Sequence, residues 1–160
     1  MSPVREALDS GVTPRMLEVA AHEVGHALAW QAGGFTIKGL RIVTGLFGGV
    51  SDADCTVSNV WLDGDNIDAY LIGLMGGAAG QTRFLTRHRG RGGWSASGAA
   101  RGNSSWDISQ FRRFSRAHGG SLSVAAATRR AEAIVNRAGH RADALTVRLA
   151  RSGRLSGGAL

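Results

Sequence analysis

Cysteine occurs once, at Cys55, in a chain of 160 residues. A single thiol excludes an internal disulfide, and it equally excludes a zinc ribbon, which needs several cysteines. Aromatic residues make up only 6% of the chain, and Lys38 is its single lysine. The core must therefore be mostly Ala, Val, Leu and Ile, and the formal net charge of +7 comes almost entirely from arginine. Long apolar runs are missing too. The longest, from Ala69 to Ala79, is interrupted by three glycines and reads as a buried helix, not a membrane span. Met1 to Glu6 lack the apolar stretch of a signal peptide. These absences lead to the expectation of a cytoplasmic protein without a membrane span.

What is present suits one globular domain over residues 1–160: 43% apolar and 19% charged residues, with abundant glycine. Thr13 as N-cap and Pro14 at the first helical position start a helix that should run to about Gln31, where Gly33 and Gly34 end it. Leu17, Val24 and Leu28 form its core stripe, with His22 and His26 on the opposite side. β-Branched and apolar residues broken by glycine from Phe35 to Val50 suggest two short strands, and Thr56 to Trp61 is a further strand-like patch. A second helix is expected from Asn66 to about Leu85, and three more near 105–118, 121–138 and 140–151. Residues 86–105, rich in Gly, Ser, Ala and Arg without apolar periodicity, read as a flexible loop, and Ser152 to Gly158 as a terminal turn. The expected fold is α+β and mostly helical, with the histidine-bearing helix beside a small sheet and a helical bundle at the C-terminal end.

His22-Glu23-Val24-Gly25-His26 matches H-E-x-x-H. Residues four apart share a helix face, so both imidazoles can reach one zinc ion, while Glu23 points about 100° around the helix and is the candidate general base. A catalytic zinc usually takes a third protein ligand. A histidine six residues beyond His26, preceded by a glycine, would mark a metzincin, but Ala29 and Ala32 stand at those places. Glu132, the only downstream glutamate, lies in an arginine-rich stretch and reads as a solvated ion-pairing residue. Asp107, His88 and His118 remain open as the third ligand. Taken alone, each histidine reads as a surface or helix-end residue and Asp107 as a helix-dipole partner, while Trp30, Trp61 and Trp106 read as packing residues.

Ala20 to Leu28 resembles the zinc helix of the peptidase domain of FtsH-type AAA proteases. Leu74-Met75-Gly76-Gly77-Ala78-Ala79 is similar to that family's Gly-Gly-Arg-Ala-Ala-Glu segment, and Gly102 to Ile108 to its Gly-Ala-Ser-Asn-Asp-Leu segment, in the same order. The resemblance implies that Asp107 is the third zinc ligand and that the chain is a zinc metalloendopeptidase acting on peptide or unfolded protein substrates. Its departures also matter. No P-loop sequence is present, so any ATP-driven unfolding must come from a separate partner. Gln81 replaces a family glutamate and is expected to accept a hydrogen bond from a ligand histidine without adding charge. An extended substrate is expected along a sheet edge near Ile42 to Val50, unless Gly45, Gly48 and Gly49 merely form a turn. An oligomer is compatible with all of this.

One alternative is a catalytically weak metal-binding module that keeps the same helix; a rival from another class draws on Arg83, Arg87, Arg89, Arg91, Arg101, Arg112, Arg113 and Arg116. With Trp94 beside Arg91-Gly92-Gly93, this segment could serve a nucleic-acid-binding or scaffolding module, although a solvated basic surface explains it as simply.

Overall fold

The computed structural model describes the backbone of residues 1–160 and all side chains except those of Trp94 and Arg101. The parts of the basic-segment reading that rest on those two side chains therefore lie outside the described residues. Across the described residues the protein is mostly helical, with seven α-helices and one three-stranded antiparallel sheet. In order these are α1 (Pro3–Asp9), α2 (Pro14–Ala32), β1 (Ile37–Thr44), β2 (Val50–Val57), α3 (Ile67–His88), α4 (Gly93–Asn103), α5 (Ser105–His118), α6 (Val124–Ala138), α7 (His140–Ser152) and β3 (Arg154–Ser156).

Helix α2 begins where its capping residues dictate: Thr13 Oγ1 accepts the Met16 N–H at 3.1 Å, and Pro14 occupies the first turn, where its missing N–H is not needed. Ser123 caps α6 in the same way through the Ala126 N–H. Helices α5 and α7 end on Gly119 and Gly153, whose φ values of 71° and 73° are left-handed and suit glycine. The sheet order is β2-β1-β3, with Thr44 opposite Val50 across a hairpin whose tip holds the fully exposed Leu46 and Phe47.

Helices α2 and α3 form the centre of the molecule and approach at backbone distance. A Cβ at Gly25 would lie 2.0 Å from the Gly76 carbonyl oxygen, and one at Gly80 would lie 2.1 Å from that of Ala21. Leu17 and Val24 of α2, Leu71 and Met75 of α3, and Leu149 of α7 are almost fully buried in one apolar cluster with Leu40 of β1. Each contributes about 1.5–3 kcal/mol by leaving water. A buried ion pair ties α3 to α7: Arg83 Nη2 donates to Asp143 Oδ2 at 3.2 Å and to the Gly139 carbonyl at 3.0 Å.

Several boundaries differ from expectation for physical reasons. Residues 86–105 are not a loop: α3 continues to His88, and α4 occupies Gly93–Asn103, its Ala96 and Ala100 buried and α4 packed on α3. Small side chains carry no periodic signal, so packing rather than pattern defines this helix. The second strand lies at 50–57, and the expected terminal turn contains β3, which pairs Leu155 with Leu40. Helix α1, capped by Ser2, was not expected at all. No helix among the described residues is long and apolar enough to cross a membrane.

Candidate metal centre

The close crossing of α2 and α3 decides where His22 and His26 point. Both turn toward α3, so this side of α2 is covered as well, and His26 is only 5% exposed. The Gly73 carbonyl oxygen lies 2.9 Å from His26 Nδ1. A carbonyl can only accept, so Nδ1 donates its proton there, and in the neutral ring Nε2 keeps a free lone pair. The first turn of α5 brings Asp107 to the same place.

Three atoms then form a nearly equilateral triangle. His22 Nε2 is 3.1 Å from His26 Nε2, and Asp107 Oδ2 lies 3.2 Å from the first and 3.4 Å from the second. Ligands about 2.0–2.1 Å from a tetrahedral metal are separated by about 3.3 Å, so the triangle has the size of one face of such a site. Gly77 leaves the space this requires: a Cβ there would lie 2.5 Å from both Nε2 atoms. The three residues thus make a possible metal-binding triad.

Glu23 stands beside the triad and outside it. It is 7% exposed and has no hydrogen-bond partner among the described residues. It faces a cavity of about 600 Å³. Burial pushes its carboxyl above the usual range, against the pull of His26 and His22. The cavity is walled by Val50 to Cys55 of β2 on one side and by Trp106 and Gln110 of α5, with Trp30, Tyr70 and Phe114 also lining it.

At His26 burial opposes a positive charge, but the Asp107 carboxylate outweighs it and holds the imidazole up at about 9, while Asp107 itself is held well below the ordinary carboxylate range. A proton and a metal cation therefore compete for His26 Nε2. Below about pH 9 that proton must leave for the metal to bind, so affinity for a divalent metal should rise roughly tenfold per pH unit on approaching this value and then level off. Calorimetric titration from about pH 6 upward checks this; a flat profile would mean that Asp107 does not hold a proton on His26.

The structure brings His22, Glu23, His26 and Asp107 together and leaves the other candidates elsewhere. His88 ends α3, as expected of a helix-end residue, but it is not isolated: its Nε2 donates to Asp143 Oδ1 at 3.1 Å. His118 stacks on Phe114, and Glu132 forms no ion pair among the described residues. Gln81 makes no hydrogen bond to a histidine among the described residues, and its Nε2 donates to Glu18 Oε1 at 2.6 Å. Trp30 packs as expected, with Nε1 donating to the Tyr70 carbonyl, whereas Trp61 and Trp106 are exposed. Ile42 is not on a sheet edge either, since β1 lies between β2 and β3. The free edge beside the cavity is β2. Sequence reasoning missed Gly73, Gly77 and the Glu18–Gln81 pair; the helical spacing of Gly73, Gly76, Gly77 and Gly80 was the available sign of a close helix crossing. Compared with protein-family models and with curated proteins, the chain matches none.

Proposed function

We propose that this chain is a zinc metalloendopeptidase of flexible or unfolded polypeptides, akin to the FtsH-type peptidase domains that its histidine helix resembles. One observation carries the reading: His22 Nε2, His26 Nε2 and Asp107 Oδ2 lie 3.1–3.4 Å apart next to the unpartnered carboxylate of Glu23. Two imidazoles and a carboxylate, with one position left for a reactant, are the donor set of a catalytic zinc site. Bound there, zinc supplies Lewis acidity that polarises a scissile carbonyl and makes water acidic near neutral pH.

The remaining work belongs to the protein. His22, His26 and Asp107 hold the ion, and the Gly73 carbonyl fixes the His26 ring. Glu23 takes the proton of the attacking water on its carboxylate and passes it to the leaving amine; burial raises its proton affinity toward the range where it can do both. An extended peptide pairs its backbone with the free edge of β2, which runs along the cavity. Substrates are segments that are already flexible or unfolded when they reach the cavity.

Metal analysis of the purified protein, with chelator-sensitive and zinc-restored cleavage of a labelled unstructured protein, tests the proposal. Asp107→Ala should weaken zinc binding by about 100-fold or more, since even residues behind the ligands are worth 10–100-fold. Unchanged zinc content in that variant would hand the third position to another residue. A second reading, an anion-binding module, draws on Arg112, Arg113 and Arg116, exposed along α5 without ion-pair partners among the described residues. Salt-sensitive retention on nucleic acid, with no chelator-sensitive cleavage, would favour it.

A further inference from the structure

Charge is distributed unevenly over this molecule. Five of its 12 acidic residues line the cavity, namely Glu18, Glu23, Asp52, Asp54 and Asp107. Of its 19 lysines and arginines, Arg15 alone does so among the described residues. A strongly basic protein has thus kept an acidic cavity. One of these acids, Glu23, is 93% buried by virtue of its 7% exposure, has no hydrogen-bond partner among the described residues, and faces the cavity. Glu18 is held in the wall by Gln81.

Strand β2 gives two of the acids a register. Side chains alternate along a strand, so Asp52 and Asp54 share a face. Both contact Arg41 of β1: Asp54 accepts from its Nε at 2.9 Å, and Asp52 from its Nη2 at 3.1 Å. One guanidinium thus answers two carboxylates. The opposite edge of β2 has no strand beside it. A peptide pairing there would place alternate side chains about 4.5–5.5 Å from Asp52 and Asp54, where opposite charges attract and like charges repel.

We infer that the cavity selects cationic polypeptide segments, with Asp52 and Asp54 reading Lys or Arg at two substrate positions two residues apart. The inference rests on the peptidase reading of the same cavity and gives it a substrate class. The net positive charge of the whole chain does not oppose it. At physiological salt the screening length is about 8 Å, so remote arginines are damped while neighbouring-strand pairs are not.

The test uses three labelled peptides identical except for a central Lys-x-Lys, Gln-x-Gln or Glu-x-Glu. Their binding to the zinc-loaded Glu23→Gln protein is read by fluorescence anisotropy, and their cleavage by the unaltered protein is followed in parallel. The lysine peptide should bind about tenfold tighter than the glutamine peptide, the glutamate peptide should bind weakest, and the spread should shrink in high salt. Asp52→Lys combined with Asp54→Lys should reverse the order; should that variant fail to fold, the salt series on the unaltered sequence still decides. Equal binding of all three overturns the inference, as does equal cleavage. Selective binding of the lysine peptide without cleavage keeps the inference and removes the peptidase reading, whereas cleavage without selective binding removes the inference alone.

Discussion

Glu23→Gln is expected to lower kcat/KM on an unstructured substrate by roughly a hundred- to ten-thousandfold while the protein keeps its metal. The range is what a positioned general base contributes. The metal should stay because Glu23 is no part of the triangle formed by His22, His26 and Asp107. Glutamine has nearly the same shape and no charge, so burial at 7% exposure costs it less than it costs the carboxylate. The thermal midpoint should therefore hold or rise. Only the ionised form of Glu23 can accept a proton. Since burial shifts it upward, activity of the unaltered protein should increase as pH rises through a value above the ordinary carboxylate range. That acidic limb should be missing from the residual activity of the glutamine variant. Normal turnover in the variant would remove Glu23 from the mechanism, and loss of metal would place it among the ligands.

The helix that brings His22 and His26 onto one face was legible because its geometry is local. Thr13, Pro14 and Gly33 delimit α2, and the four-residue spacing of His22 and His26 follows from helical geometry alone. Asp107 was a different case. It lies 81 positions beyond His26, and only the likeness to a known arrangement singled it out from His88 and His118. Nothing in the sequence says that His88 bonds to Asp143, 55 positions away, or that Gln81 reaches back to Glu18 across 63. Such partnerships depend on how α3 lies against α2 and α7. Helix α4 was hidden for another reason: with Gly, Ser and Ala as its main residues it has no apolar stripe, and it packs through Ala96 and Ala100. Trp106 shows the reverse error, since a large aromatic residue read as packing stands exposed at the cavity wall.

Gly77→Ala is expected to abolish metal binding without dismantling the fold, although Gly77 donates no ligand atom. The added methyl would lie 2.5 Å from Nε2 of both His22 and His26, well inside contact distance, so both rings must turn out of the triangle. Since the obstructing atoms are side-chain and not backbone atoms, moving the rings relieves the clash, at the cost of the His26 bond to the Gly73 carbonyl. The neighbouring glycine behaves differently. At Gly76 the nearest obstacle is the Gly25 carbonyl at 2.4 Å, which belongs to a helix backbone and cannot swing aside. Gly76→Ala should therefore force α2 and α3 apart and destabilise the fold by about 1–3 kcal/mol, as overpacked cores do, which lowers the thermal midpoint. Gly77→Ala should change that midpoint far less in metal-free protein, yet take up no zinc and cleave nothing. Metal content, far-ultraviolet circular dichroism and thermal melting of the two variants separate these outcomes. A Gly77→Ala protein with full zinc content would mean that the imidazoles do not meet over α3, and the proposed catalytic centre would have to lie elsewhere.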